Sequence, residues 1–96
     1  MTREELIETL RAHRETLAER FGVRSLALFG SYARGTAVDS SDVDILAEFE
    51  VAPDWRQYFG AQAYLEEILG RPVDLATSGE IREEIRGFIE KDAISV

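Results

Sequence analysis

The segment Asp42 to Glu50, DVDILAEFE, alternates strictly. Val43, Ile45, Ala47 and Phe49 fall on one side, and Asp42, Asp44, Leu46 and Glu48 on the other. It reads as a strand with one face on a core. What makes the pattern restrictive is Asp42 and Asp44. Two residues apart on a strand, both carboxylates leave the same face, with Cα atoms roughly 6.5 Å apart. Carboxylates that close repel each other, and placing them within an apolar run costs free energy unless something compensates.

The rest of the chain supplies a small sheet for this strand to join. Thr2 to Glu5 matches a capping box, and Leu6, Leu10, His13, Leu17 and Phe21 then recur at helical spacing. The pattern predicts a first helix over residues 3–21, stopped by Gly22. His13 lies on its apolar line without a second ligand-type residue at i±4, and is read as a helix-face histidine, not a metal ligand. Val23 to Phe29 is short and apolar, as a buried strand should be. Gly30 to Gly35 reads as a turn leading into one helical turn, and Thr36 to Ser41 as a polar loop.

Beyond the Asp42–Glu50 strand, Pro53 breaks the chain and Asp54 can cap a second helix over residues 55–69. Trp55, Tyr58, Phe59, Leu65, Ile68 and Leu69 are its apolar residues. Gly60 inside it points to close packing or to a partner near the backbone, and Gly87 has the same two readings. Pro72 to Thr77, PVDLAT, is a third strand that again carries an aspartate, Asp74. Thr77 to Glu80 is a second capping-box match, with Ile81, Ile85, Phe88 and Ile89 as the apolar face of a third helix. The final AISV suits a short edge strand. The element order predicts one α/β (α+β) domain over residues 1–96: a small mixed sheet of three to four strands with about three main helices.

Bulk properties narrow the classes. The chain has 96 residues and no cysteine, so neither a disulfide framework nor a thiolate metal site is available. No run is apolar and long enough to span a membrane, and no signal peptide is visible; a cytoplasmic protein is expected. The formal net charge of −8 argues against direct nucleic-acid binding, which relies on cations meeting phosphates. It leaves room for a nucleotide carried in with a divalent cation, and for a basic protein partner. Lys91 is the only lysine among eleven cationic residues, a bias from which nothing follows at this level.

Chemistry concentrates at Gly30-Ser31, Asp42, Asp44 and Asp74. Hard carboxylate oxygens suit Mg²⁺, which takes one or two carboxylates together with phosphate oxygens and water. VDLA around Asp74 mirrors VDIL around Asp44; if these strands are neighbours in register, Asp74 joins the same patch. Three carboxylates on one sheet face suit two ions, roughly 3.5–4 Å apart. Gly30 permits close backbone approach, the following helical turn offers N–H groups to an anion, and the Ser31 hydroxyl adds a donor. Arg34 can grip a phosphate in a fork or brace the loop by a salt bridge. The expected ligand is a nucleoside triphosphate with Mg²⁺. Taken singly, each piece has an ordinary explanation: a common turn, a solvated strand end, a surface aspartate. Tyr32 can stack or meet a partner, or simply pack.

Gly30-Ser31, the intervening loop and Asp42-Val43-Asp44 together resemble the signature of the DNA polymerase beta-like nucleotidyltransferase superfamily. LFGSYARGTAVDSSDVDILAEF is especially similar to the minimal nucleotidyltransferases, the MNT proteins paired with HEPN-domain toxins. The resemblance runs from the first helix to the final DAISV, with no departure at Gly30, Ser31, Arg34, Gly35, Asp42 or Asp44. It implies nucleotidyl transfer: Gly30 and Ser31 hold the β- and γ-phosphates, with Arg34 as an auxiliary ligand or a brace. Asp42 and Asp44 bind both Mg²⁺ ions, and Asp74 completes one metal site and helps orient or deprotonate the attacking hydroxyl.

Larger members of that superfamily carry extra domains for base and acceptor. With 96 residues there is no room for one here, so the acceptor is expected on a partner. The resemblance points to an antitoxin that moves AMP from ATP to a hydroxyl, a tyrosine's, of a HEPN toxin ribonuclease in a hetero-oligomer. Two alternatives stand beside it: a non-catalytic antitoxin that neutralises its partner by contact, and a nucleotidyltransferase acting on a small molecule. No residue that would read the nucleotide base can be named.

Overall fold

The computed structural model describes residues 1–79 and 83–96. Its elements run α1 (Arg3–Ala12), α2 (Arg14–Phe21), β1 (Val23–Phe29), α3 (Gly30–Arg34), β2 (Val43–Phe49), α4 (Trp55–Leu69), β3 (Val73–Thr77), α5 (Glu83–Asp92) and β4 (Ile94–Ser95). The strands form one mixed sheet in the order β3-β2-β1-β4. β1 is antiparallel to both β2 and β4, and β2 is parallel to β3.

The alternation in β2 sets the layering. Val43, Ile45 and Ala47 are buried on one face, in line with Leu26 and Leu28 of β1 and Val73 and Leu75 of β3. Leu6, Leu10 and Leu17 from α1 and α2, and Ala61, Leu65 and Leu69 from α4, complete this core. The opposite face carries Asp44, Leu46 and Glu48 and is only partly covered.

Local signals start the helices as anticipated. Thr2 and Glu5 close a capping box on α1, and Asp54 and Gln57 close one on α4. The helix expected over residues 3–21 is instead two. His13 interrupts it with φ −108° and ψ 4°, and its N–H bonds back to the Leu10 carbonyl at 3.2 Å. Its Nδ1 lies 2.6 Å from the Tyr64 hydroxyl on α4. The break lets α1 and α2 each lay leucines on the curved core.

Trp55 and Phe59, two of the apolar residues of α4, are 67% and 58% exposed. The buried stripe of α4 runs instead through Ala61, Leu65 and Leu69. Gly60 is a packing glycine: a Cβ there would sit 2.8 Å from the Phe21 ring. Asp42 lies just outside β2, which begins at Val43, and β3 begins at Val73 rather than Pro72. Glu80 and Ile81 of the second capping box and third helix lie outside the described residues, as do the side chains of Ile85 and Phe88.

A second stripe of α4 seals the outer edge of β3. Gln62 donates to the Val73 carbonyl at 2.9 Å, the Tyr58 hydroxyl donates to the Leu75 carbonyl, and Glu66 accepts the Val73 N–H at 3.0 Å. Residues four apart on a helix share a face, so one row of side chains occupies backbone groups that would otherwise template another strand.

Candidate active site

The site forms where β1 ends and β2 and β3 begin, on the partly open face of the sheet. Parallel pairing sets Asp44 directly beside Asp74, and antiparallel pairing sets Asp44 beside Phe29, the residue before Gly30. The similarity of VDIL and VDLA is therefore a similarity of register. Asp44 is half-buried, and Asp42 and Asp74 are exposed.

Gly30 has φ +73°, and a Cβ at that position would fall 2.1 Å from Asp44 Oδ2. The glycine is needed twice over: for the left-handed backbone and because the Asp44 carboxylate rests against its Cα. The sequence suggests only a phosphate approaching this backbone. The structure adds that the turn and the carboxylate strand fit each other before any ligand is considered.

Electrostatics follow from this crowding. Burial pushes the Asp44 carboxyl above the ordinary aspartate value. The negative charges of Asp74 and Asp42 and a hydrogen bond shared with Asp74 push it the same way, while Arg34 pulls it down. Asp44 is thus a carboxyl whose ionised form lacks a full complement of positive charge.

The donors fit Mg²⁺ by type, since all are hard carboxylate oxygens. Among the described residues, no three metal-ligating side chains stand gathered as a ready-made cage. Asp44 and Asp74 meet, and Asp42 stands at the mouth of β2 within electrostatic reach of Asp44. That suffices for an ion which characteristically takes one or two carboxylates plus phosphate oxygens.

On the turn side, Ser31 is half-buried, and its carbonyl accepts the Thr36 N–H at 2.9 Å. Its hydroxyl has no partner among the described residues, which leaves a free donor beside the carboxylates. Tyr32 is buried, 7% exposed, so it packs and does not present its ring to a partner. Arg34 pairs with Asp92 of α5 at 3.0 Å.

Arginines hold the turn from several sides. Arg3 of α1 donates to the Ala33 carbonyl at 3.1 Å. Arg71 lies over the Tyr32 ring, 5.6 Å from its centroid, and donates to the Asp39 carbonyl at 3.1 Å, tying down the Thr36–Ser41 loop. Sequence reasoning singled out neither residue, nor Asp92. For the two arginines the only signal is the preference for arginine over lysine, and arginine's fork and flat face suit carbonyl and aromatic contacts; Asp92 carries none.

The nucleotidyltransferase domain family matches the chain over residues 10–96. The protein adenylyltransferase MntA of Thermococcus cleftensis is 41% identical over 96 residues, covering 100% of this chain and 97% of that one. A solved structure of a candidate minimal nucleotidyltransferase is 32% identical with a TM-score of 0.78, over 100% of this chain and 97% of that one. A solved complex of a tri-AMPylated Shewanella oneidensis HEPN toxin with an MNT antitoxin has a chain of the same fold. That chain is 18% identical with a TM-score of 0.61, over 97% of this chain and 66% of that one.

Proposed function

The chain belongs to the nucleotidyltransferase domain family, and from that premise we propose that it is an antitoxin transferring AMP from ATP, with Mg²⁺, to a tyrosine hydroxyl of a HEPN-type toxin partner. The enzyme class rests on relatives that are protein adenylyltransferases; the donor, acceptor and roles below are our reading. One observation carries it: Asp44 and Asp74 share a register position on an open sheet face, with Gly30 packed against Asp44 and an unengaged Ser31 hydroxyl alongside.

In this reading the Ser31 hydroxyl and the turn N–H groups hold the β- and γ-phosphates, and Arg34 adds charge beside them. Asp42, Asp44 and Asp74 would hold the Mg²⁺ ions, whose chemistry is to neutralise phosphate charge and acidify the attacking hydroxyl. Asp74, exposed at the edge of the pair, orients the acceptor hydroxyl and accepts its proton. The hydroxyl oxygen bonds to the α-phosphorus, the bond from that phosphorus to the β-bridging oxygen breaks, and pyrophosphate leaves with the electron pair. Positioning and charge stabilisation supply most of the rate. No helix among the described residues is long and apolar enough to cross a membrane.

The test is direct. Incubated with ATP, Mg²⁺ and a folded HEPN-type partner encoded beside it, the protein should add the mass of AMP to a partner tyrosine. Asp44→Asn should abolish the adduct. Absence of any adduct across the common nucleoside triphosphates would overturn transfer. Protection of cells from the toxin by Asp44→Asn would show neutralisation by contact, and an adduct on a small molecule alone would reassign the acceptor.

A further inference from the structure

We propose that Asp92 is a positioning residue for the nucleotide: its carboxylate takes one amino group of Arg34 and thereby aims the remaining guanidinium donors at the turn that receives the phosphates. The inference rests on the phosphate-binding reading of that turn given above.

Arg34 Nη1 lies 3.0 Å from Asp92 Oδ2. A guanidinium carries five N–H donors in a rigid fork, and Asp92 is the one hydrogen-bond or ion-pair partner of Arg34 among the described residues. One amino group held by Asp92 leaves the rest of the fork available. Arg34 follows Ser31 by three residues in the same short helix, and it is close enough to Asp44 to act on that carboxyl's charge. Bracing the loop and binding phosphate are then one function.

Asp92 is the fixed member of the pair. It closes α5 immediately before β4, and β4 pairs with β1 at Leu28↔Ile94 and Ala27↔Ser95. Those pairs lie just before Gly30 on the strand that delivers the turn. Arg34 stands at the end of a five-residue helix outside the sheet. Stability is a poor explanation for the pair. With side chains 50% and 29% exposed, such an ion pair adds little to stability. An ordered arginine at a phosphate site, in contrast, spares the nucleotide the cost of ordering it.

The test compares wild type, Asp92→Asn, Asp92→Glu, Arg34→Lys and the double variant Arg34→Lys/Asp92→Asn, using Mg²⁺ with ATP, GTP and inorganic triphosphate. Asp92→Asn should weaken binding about three- to tenfold, the usual scale for coupling between contacting residues, and equally for all the probes, because only phosphates are touched. The melting temperature should move by no more than about a few degrees. Adding Arg34→Lys to Asp92→Asn should cost little more, and Asp92→Glu should recover part of the loss. In transfer assays the change should appear in KM for ATP and leave kcat nearly intact. Unchanged binding in Asp92→Asn, additive effects in the double variant, or losses that track lost fold would overturn the proposal. Failure of wild type to bind any of the probes would instead overturn the phosphate-site reading beneath it, and this proposal with it.

Discussion

The two faces of β2 are made by alternate residues of one strand, yet they answer to different physics. Val43, Ile45 and Ala47 are fully buried against the helices, and each is replaceable in principle by a side chain of similar volume. Asp44 on the other face opposes Asp74 and rests against Gly30, and no residue of similar size would do its work. The covered face holds the strand in place. The open face accepts an electrostatic cost, seen in the raised Asp44 carboxyl, to keep oxygen ligands together. The strand can carry that cost because its other face is so well packed.

The sharpest way to break this contrast is on the covered face. Ile45→Ala should destabilise the fold by about 2–5 kcal/mol, as a buried large-to-small change does, read by chemical denaturation. Any loss of transfer activity should then follow only from the fraction unfolded. Gly30→Ala attacks the seam between turn and strand. It should cost roughly 1–2 kcal/mol for the left-handed backbone alone and, by displacing the Asp44 carboxylate, remove most activity from the molecules that remain folded.

Gln62→Ala sharpens the comparison at the sheet edge. Loss of its bond to the Val73 carbonyl should cost about 0.5–1.5 kcal/mol, and amide exchange should rise in β3 before the core strands. The smallest effect should have the opposite sign. Asp44 binds its proton more tightly folded than unfolded, so its contribution to stability is fully present below the ordinary value of 3.8 and is lost as pH rises through the higher folded value. At neutral pH its charge works against folding. Asp44→Asn should therefore leave the apo protein slightly more stable at pH 7, and should weaken the fall in stability across that acidic window. A drop in melting temperature at pH 7 would show that Asp44 has compensating contacts which the geometry does not reveal.

Legibility followed the range of the interaction. The capping box at Thr2 and the cap at Asp54 depend on residues three apart, and both were readable; that Gln57 closes a box with Asp54 was added by the structure. The alternation of β2 and the placement of Asp44 and Asp74 on one face were readable because strand periodicity is local and the VD repeat marks the register. The first helix was misjudged because periodicity continues through His13, and only contact with Tyr64 on α4 accounts for that residue's place. The exposure of Trp55 and Phe59 was not legible, because aromatic character says nothing about which stripe of α4 meets the sheet. Arg3, Arg71 and Asp92 could not be found, since each reaches the turn from a distant part of the chain.

By itself the sequence determined the inventory: an alternating strand with paired aspartates, a glycine-serine turn before it, a third aspartate in a matching frame, and helices able to cover one face. It could do so because periodicity, capping and turn chemistry act over a few residues. Tertiary structure alone decided that Gly30 exists as much for Asp44 as for a ligand, that Arg34 is held by Asp92, and that α4 closes the β3 edge. Those are contacts between segments far apart in the chain, and they arise only once burial of the shared apolar face has brought the segments together.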